Sequence, residues 1–171
     1  MNSLHAVLFF TVVAFTGCGA EPAELLVKVG DLAPAFTATT TDNVQISNES
    51  QKGKVTLINF FATWCGPCMS EMPEIESGVW QKFKDRGLTV VAIGREHSAE
   101  EMVAFKAGKH FTMPIAPDPK RAIYSKFATQ SIPRNFLIGR DGRILFESVG
   151  YSDGELKKMI AFIEAELAKG K

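Results

Sequence analysis

The sequence predicts an α/β fold in which a central mixed sheet is flanked by helices. Two apolar runs rich in β-branched residues, at 55–61 and 88–93, have the composition of strands buried on both faces. Apolar residues recur at helical spacing between them and Gly87 follows the last turn, so this part predicts two parallel strands joined by a helix. Runs at 135–138 and 143–146 flank an Asp-Gly turn signal and predict an antiparallel hairpin.

The composition fits one globular domain. A chain of 171 residues with 46% apolar and 22% charged residues is long enough to bury a core without disulfide staples, so its three cysteines are not needed as scaffolding. Nineteen basic and nineteen acidic side chains give a net charge of zero. Without a global field to attract polyanions, we expect no nucleic-acid partner.

The N-terminal residues predict a targeting segment. Residues 6–15 are apolar and uncharged but only half as long as the roughly 20 residues that span a bilayer, and small residues follow them. We expect a signal peptide over residues 1–17, a linker over 18–28 and the folded domain over 29–171. The run FTGC at 15–18 also resembles the lipobox of bacterial lipoproteins, which implies acylation of Cys18. The alternative is an N-terminal core strand with an incidental cysteine.

The rest of the domain alternates helix and strand signals. The sequence predicts a hairpin at 36–46, a helix at 99–109, a short strand at 112–116 and another helix at 119–127. A final amphipathic helix is carried by Leu156, Ile160, Ile163 and Leu167. Both histidines of the domain, His97 and His110, are predicted to be solvated loop residues.

The motif that carries chemistry is WCGPC at 64–68, where a buried strand gives way to a helix. A cysteine at a helix N-terminus faces unpaired N–H groups and the positive end of the helix dipole, which favour the thiolate and make Cys65 a nucleophile. Cys68 lies on the same side of the first turn, close enough for a disulfide, and Pro67 is tolerated there. The pair predicts reversible oxidation, in which Cys65 attacks a substrate disulfide and Cys68 resolves the mixed disulfide.

Other uses of the two cysteines fit less well. A structural zinc site needs four ligands, and His97 and His110 have no ligand-like spacing to the cysteines. Attachment of c-type haem needs a histidine directly after the second cysteine, where Met69 stands. A passive structural disulfide remains open, although so short a loop constrains the unfolded chain little. No metal and no cofactor are expected.

These residues resemble the thioredoxin superfamily and, within it, the bacterial TlpA/ResA-like group of secreted or membrane-tethered thiol-disulfide oxidoreductases. The resemblance covers residues 29–167 and is carried by VGDLAPAF at 29–36, by the stretch 53–68 and by Ile132-Pro133. It implies a thioredoxin-like fold, a cis peptide bond before Pro133 beside the disulfide, and a TlpA-type insertion before that proline.

The same resemblance implies the other site residues. Pro73 matches the kink proline of the active-site helix, and Asn59 stands where thioredoxin has a buried acid. Glu71 matches an acidic residue of the ResA-like proteins and is expected to handle the proton of Cys68. The predicted catalytic residues are Cys65, Cys68, Glu71 and Pro133. The predicted substrate-binding residues are Trp64, Gly66, Pro67, Ile132, Arg134 and Gly150.

The resemblance implies a function in electron exchange with protein disulfides or dithiols. We expect a lipid-anchored monomer that acts as a reductant on the periplasmic or cell-surface side of a bacterial membrane and is served by a membrane electron donor. One alternative is a peroxiredoxin-like peroxidase, although Ala62 stands where that family has a Thr three residues before its reactive cysteine. The other is a tethered redox sensor or binding module without enzymatic activity.

Overall fold

The structure is a computed structural model that describes residues 24–169, so the predicted signal peptide and Cys18 lie outside the described residues. The strands are β1 (Thr37–Thr39), β2 (Gln45–Ser47), β3 (Val55–Phe61), β4 (Leu88–Arg95), β5 (Ile115–Asp118), β6 (Arg134–Ile138) and β7 (Ile144–Val149). The helices are α1 (Gly66–Glu74), α2 (Gln81–Phe83), α3 (Ala99–Lys109) and α4 (Asp153–Ala168).

Five of the strands form one mixed sheet in the order β5-β4-β3-β6-β7, and β1 and β2 form a separate antiparallel hairpin. Strand β3 runs parallel to β4 and antiparallel to β6, while β6 and β7 form the predicted hairpin. Every residue of β3 is buried, as expected for a strand covered on both faces. The predicted α/β fold with a central mixed sheet and an N-terminal hairpin is therefore confirmed.

The two faces of the sheet carry different cores. Leu57 and Phe61 point to the face covered by α1, α3 and α4. Phe60 points to the opposite face, where its ring centroid lies 5.2 Å from that of Tyr124 and 5.4 Å from that of Phe127. Tyr124 and Phe127 lie in the segment that leads to Pro133, and Ile132 packs against the same cluster, so the core on this face supports the cis-proline loop.

The helical segment after the cysteine motif changes type along its length. It begins with α1, continues as a π-helical turn at Ile75–Trp80 and as α2, and ends in a 3-10 turn at Lys84–Arg86 before Gly87. Pro73 lies inside α1 and has no N–H to donate, which interrupts the regular α-helical ladder. Gly87 has a φ of 99°, a left-handed conformation that suits glycine and ends the segment as predicted.

Two predictions for the insertion were wrong. The helix expected at 119–127 is reduced to a 3-10 turn at Tyr124–Lys126, because Arg121 is left-handed and the buried Asp118 carboxylate accepts the N–H groups of Ile123 and Tyr124. The strand expected at 112–116 begins only at Ile115.

The late start of β5 also has a side-chain cause. The N–H groups of Thr112 and Met113 each donate to the Glu76 carboxylate at 3.0 Å, so neither is available to a strand ladder. Local propensity gave no sign of this, since Glu76 lies on a distant helical turn.

The last residues of the predicted linker are packed on the domain. Leu26 donates its N–H to the carbonyl of Phe127 at 3.0 Å, and the N–H of Thr129 donates to the carbonyl of Glu24 at 2.9 Å. Within residues 24–169, none of the helices is both long and apolar enough to cross a bilayer.

Candidate active site

Cys65 and Cys68 form a disulfide at the start of α1, with their Cα atoms 5.2 Å apart. Cys65 is the N-cap residue and has an extended backbone, and its Sγ accepts the N–H of Cys68 at 3.2 Å. That contact, together with the helix dipole, stabilises a thiolate on Cys65 once the disulfide is reduced. Cys65 is 7% exposed and Cys68 is fully buried, so only the first sulfur can meet a substrate.

The cis-proline loop lies against the first cysteine. The Ile132–Pro133 peptide bond is cis, as the resemblance implies, and the carbonyl oxygen of Ile132 lies 3.6 Å from Sγ of Cys65. The N–H of Gly150 donates to the carbonyl of Pro133 at 2.9 Å. Trp64, Gly66 and Pro67 are exposed beside the disulfide. The structure thus brings most of the predicted substrate-binding residues to one surface around Cys65.

Arg134 is placed differently from the other predicted binding residues. Its side chain is 3% exposed, and Nη2 donates to Glu24 Oε1 at 2.6 Å. On its other side, Nη1 lies 3.7 Å from Glu147 Oε2. Arg134 therefore stands behind the cis-proline loop, where it ties that loop to the N-terminal segment, and not on the groove surface.

Glu71 lies one turn after Cys68 on the same face of α1 and is only 3% exposed. Its two carboxylate oxygens accept separate amide hydrogen bonds, from Asn135 Nδ2 at 2.7 Å and from Asn59 Nδ2 at 2.9 Å. The two amides are also joined, because Asn59 Nδ2 donates to Asn135 Oδ1 at 2.9 Å. Asn135 Nδ2 in turn lies 3.3 Å from Ser148 Oγ, which makes a buried polar network beneath the disulfide.

Burial raises the pKa of Glu71 from its ordinary 4.5 to about 7, although the amides of Asn135 and Asn59 favour the ionised form and oppose the shift. A carboxyl group with a pKa near the working pH can both take and return a proton. The arrangement suits a group that accepts the proton of a buried thiol.

His97 is not the solvated loop residue that the sequence predicted. It is 5% exposed, and its Nε2 accepts the N–H of Thr63 at 3.0 Å. Thr63 lies two residues before the nucleophile, Cys65. The Nδ1 atom of His97 lies 3.5 Å from Glu101 Oε2 on α3. Within residues 24–169, no group of three or more His, Cys, Asp or Glu side chains could hold a metal ion.

The sequence-based interpretation missed Asn135, Ser148 and His97. Asn59 and Asn135 are register partners on β3 and β6. Asn59 interrupts an otherwise apolar run, and Asn135 stands at the start of another. A polar residue in the middle of a strand buried on both faces needs a partner, which is the signal that could have identified Asn135.

Comparison with known proteins gives consistent results. The Redoxin family profile matches residues 28–163. Thioredoxin-like protein YneN of Bacillus subtilis is 32% identical, over 86% of this chain and 89% of that protein. Thiol-disulfide oxidoreductase ResA of Bacillus cereus is 27% identical, over 85% of this chain and 89% of that protein.

Solved structures agree with these sequence matches. The solution structure of a candidate protein disulfide isomerase from Bacteroides thetaiotaomicron has a TM-score of 0.81 and is 36% identical, over 86% of this chain and 94% of that one. A thioredoxin-family thiol:disulfide interchange protein from Chlorobium tepidum has a TM-score of 0.67 and 27% identity, over 82% of this chain and 98% of that one. The resemblance to the TlpA/ResA-like thiol-disulfide oxidoreductases is confirmed, and the chain belongs to the Redoxin family.

Proposed function

We propose that this protein reduces protein disulfides outside the bacterial cytoplasm. One observation carries the proposal: Sγ of Cys65 accepts the N–H of Cys68 and also faces the cis-proline loop at 3.6 Å. The nucleophile is thereby stabilised as a thiolate and placed where an extended substrate segment can lie along the loop. The relatives named as thiol-disulfide oxidoreductases and disulfide interchange proteins support the same chemistry.

The reaction proceeds in two exchange steps. The thiolate of Cys65 attacks one sulfur of the substrate disulfide, which forms a mixed disulfide and releases the other substrate sulfur as a thiolate that takes up a proton. The thiol of Cys68 then passes its proton to Glu71 and attacks Sγ of Cys65. This step forms the Cys65–Cys68 disulfide and breaks the bond between Cys65 and the substrate. The second substrate sulfur leaves as a thiolate and is protonated as Glu71 gives its proton back, so the substrate is reduced by two electrons.

The direction of transfer is proposed by analogy. Gly66-Pro67 between the cysteines and Ile132 before the cis-proline resemble reducing thioredoxins more than oxidants. A dithiol donor in the membrane would return the protein to its reduced form after each turnover.

Turnover of insulin disulfides tests the exchange chemistry. With dithiothreitol as electron source, the protein is expected to accelerate insulin reduction, while hydrogen peroxide is consumed no faster than by free thiols. Rapid peroxide consumption without insulin reduction would favour the peroxiredoxin-like alternative, and neither activity would favour a sensor or binding module. Equilibration with glutathione tests the direction, and a potential as high as the roughly −120 mV of DsbA would contradict a reducing role.

A lipid anchor on Cys18 is part of the same proposal, and the FTGC run that resembles a lipobox supports it. We expect the mature protein in the membrane fraction, and Cys18→Ser to release the protein or block its processing. Ser3→Ala, within the same predicted signal peptide, is the matched control and should leave the distribution unchanged. Wild-type protein that is soluble with a free Cys18 thiol would contradict the anchor.

A further inference from the structure

Trp64 is the most prominent apolar group on the proposed substrate surface. It directly precedes the nucleophile, and 61% of its surface is exposed. An exposed aromatic side chain contributes to specific binding only when its orientation is held by neighbouring groups. The ring meets such a group on the adjacent strand, because the guanidinium carbon of Arg95 lies 5.6 Å from the Trp64 ring centroid.

Arg95 reaches Trp64 because of the sheet topology. It is the last residue of β4, which runs parallel to β3, so its side chain leaves the sheet at the edge where β3 leads into the cysteine motif. The same guanidinium carbon lies 4.9 Å from the ring centroid of Tyr124. The cation is therefore in contact range of two aromatic faces, one exposed in the groove and one fully buried.

The remaining contacts of Arg95 are few. Its side chain is 11% exposed, and its Nη2 lies 3.4 Å from Glu96 Oε2. Within residues 24–169, its Nε is buried and has no hydrogen-bond partner. The two aromatic rings therefore supply much of the environment of this desolvated cation.

Tyr124 links this cation to the opposite wall of the groove. Its hydroxyl donates to the carbonyl of Ser131 at 2.8 Å, and Ser131 directly precedes the cis Ile132–Pro133 pair in a left-handed conformation with φ 67°. The backbone N–H of Tyr124 donates to the buried Asp118 carboxylate at 2.8 Å. Tyr124 is thus fixed at both ends, and the contact with Arg95 connects the cis-proline loop to Trp64.

We propose that Arg95 is a positioning residue of the active site, which holds the Trp64 indole in a fixed orientation relative to the cis-proline loop and so determines how a protein substrate is seated over Cys65. This inference rests on the proposed exchange with protein disulfides. The planar guanidinium is essential to it, because a lysine ammonium keeps the charge but cannot stack between two rings.

The chain supplies a matched control in Arg121. Its guanidinium carbon also lies 5.1 Å from the Tyr124 ring, and its Nη1 lies 3.9 Å from the same Glu96 side chain. No cation–π contact joins Arg121 to Trp64 among the described residues. A change at Arg121 therefore disturbs the shared partners without removing the contact with the indole.

The test compares Arg95→Met, Arg95→Lys and Arg121→Met in a Trp80→Phe background. The sequence has two tryptophans, so this background leaves Trp64 as the only one and makes its fluorescence a direct probe of the groove. Acrylamide quenching of the oxidised protein reports the mobility and access of the indole. Steady-state kinetics with insulin, and the rate with uncharged bis(2-hydroxyethyl) disulfide, separate substrate seating from the reactivity of Cys65.

Both Arg95 variants are expected to increase quenching of Trp64 and to raise KM for insulin by roughly 5-fold to 30-fold, the range between an exposed and a desolvated cation–π contact. kcat and the rate with the small disulfide should stay close to wild type, and Arg121→Met should leave the quenching unchanged. If Arg95→Lys keeps both the quenching and the KM of the parent protein, the stacking argument is overturned. If Arg95→Met leaves either the quenching or the KM unchanged, the positioning role is overturned. If the parent protein does not reduce insulin, the proposed function fails, while the quenching result still decides whether Arg95 holds Trp64.

Discussion

Cys68→Ala is expected to turn the protein from a catalyst into a trap for its substrates. Without the second thiol, Cys65 still attacks a substrate disulfide, but the mixed disulfide has no intramolecular resolving group. Turnover should fall by several orders of magnitude, because well-placed intramolecular groups act at effective molarities of roughly 10⁵ M or more. Alanine suits this fully buried position, since a serine hydroxyl there would need a hydrogen-bond partner.

The measurement is the appearance of adducts that are sensitive to dithiothreitol, on non-reducing gels and by mass spectrometry. Cys65→Ala is the matched control and should form no adduct, because Cys68 is inaccessible to a protein substrate. Normal turnover by Cys68→Ala would show that another thiol resolves the intermediate. Adducts formed by Cys65→Ala through Cys68 would reverse the roles assigned to the two cysteines.

The parts of the site that depend on neighbouring residues in the chain were predictable from sequence. The disulfide joins residues three apart on a first helical turn, and the cap on α1 depends only on the residue before the helix. The positions of the strands along the chain follow from apolar runs and turn signals, so β3, β4 and the β6–β7 hairpin were predicted close to their observed bounds. These features need no knowledge of distant partners.

The parts that depend on distant partners were not predictable from local sequence patterns, and only the family resemblance indicated that the cis-proline loop lies beside the disulfide. Arg134 looked like a groove residue because it follows Pro133, yet it pairs with Glu24, which is 110 positions away in the sequence. His97 looked solvated because polar residues surround it, but its acceptor nitrogen meets the N–H of Thr63 from another strand end. Such contacts follow from tertiary packing, which periodicity and residue propensity do not encode.

The second large expected effect is a change in stability with pH, and it arises from the buried network around Glu71. Its carboxylate is buried with two amide donors and with no cation among its hydrogen-bond partners in residues 24–169, so ionisation in the fold carries a desolvation cost. Protonation has a cost too, because a carboxyl proton on either oxygen would face an amide donor. Asn59 Oδ1 is buried without a hydrogen-bond partner among the described residues. Rotation of the Asn59 amide group would turn this oxygen towards the carboxyl proton as an acceptor.

The free energy of unfolding of oxidised Glu71→Gln is expected to rise relative to that of the wild type as pH increases from 4.5 to about 7. Below pH 4.5 the carboxyl group is protonated in both the folded and the unfolded chain, so it adds no pH dependence there. Between pH 4.5 and about 7 the unfolded chain releases the proton while the folded chain retains it, and stability falls. The wild-type protein has lost about 3 kcal/mol of stability once the pH is above 7, because the pKa is raised from 4.5 to about 7.

The measurement is the free energy of unfolding of the wild-type and variant proteins in urea from pH 4 to pH 8.5. The oxidised form is used because disulfide cysteines do not titrate, and subtracting the two curves removes the contribution of every other group. Any fixed cost of placing the glutamine amide against an asparagine amide shifts the difference equally at all pH values. A difference that does not change with pH would show that Glu71 ionises in the fold as freely as in water.

The same substitution should slow catalysis at neutral pH. The variant loses the base that takes the proton of Cys68, and we expect disulfide exchange to fall by roughly 10-fold to 100-fold, the low end of general acid–base contributions. It also loses a negative charge near the thiols, so the apparent thiol pKa values should fall, and the loss of rate should shrink as pH rises and Cys68 ionises without help. Glu74→Gln, an exposed neighbour on α1, is the control for charge alone. If Glu71→Gln leaves both the thiol titration and the exchange rate unchanged, Glu71 does not act as the proton acceptor, and its buried network serves only the fold.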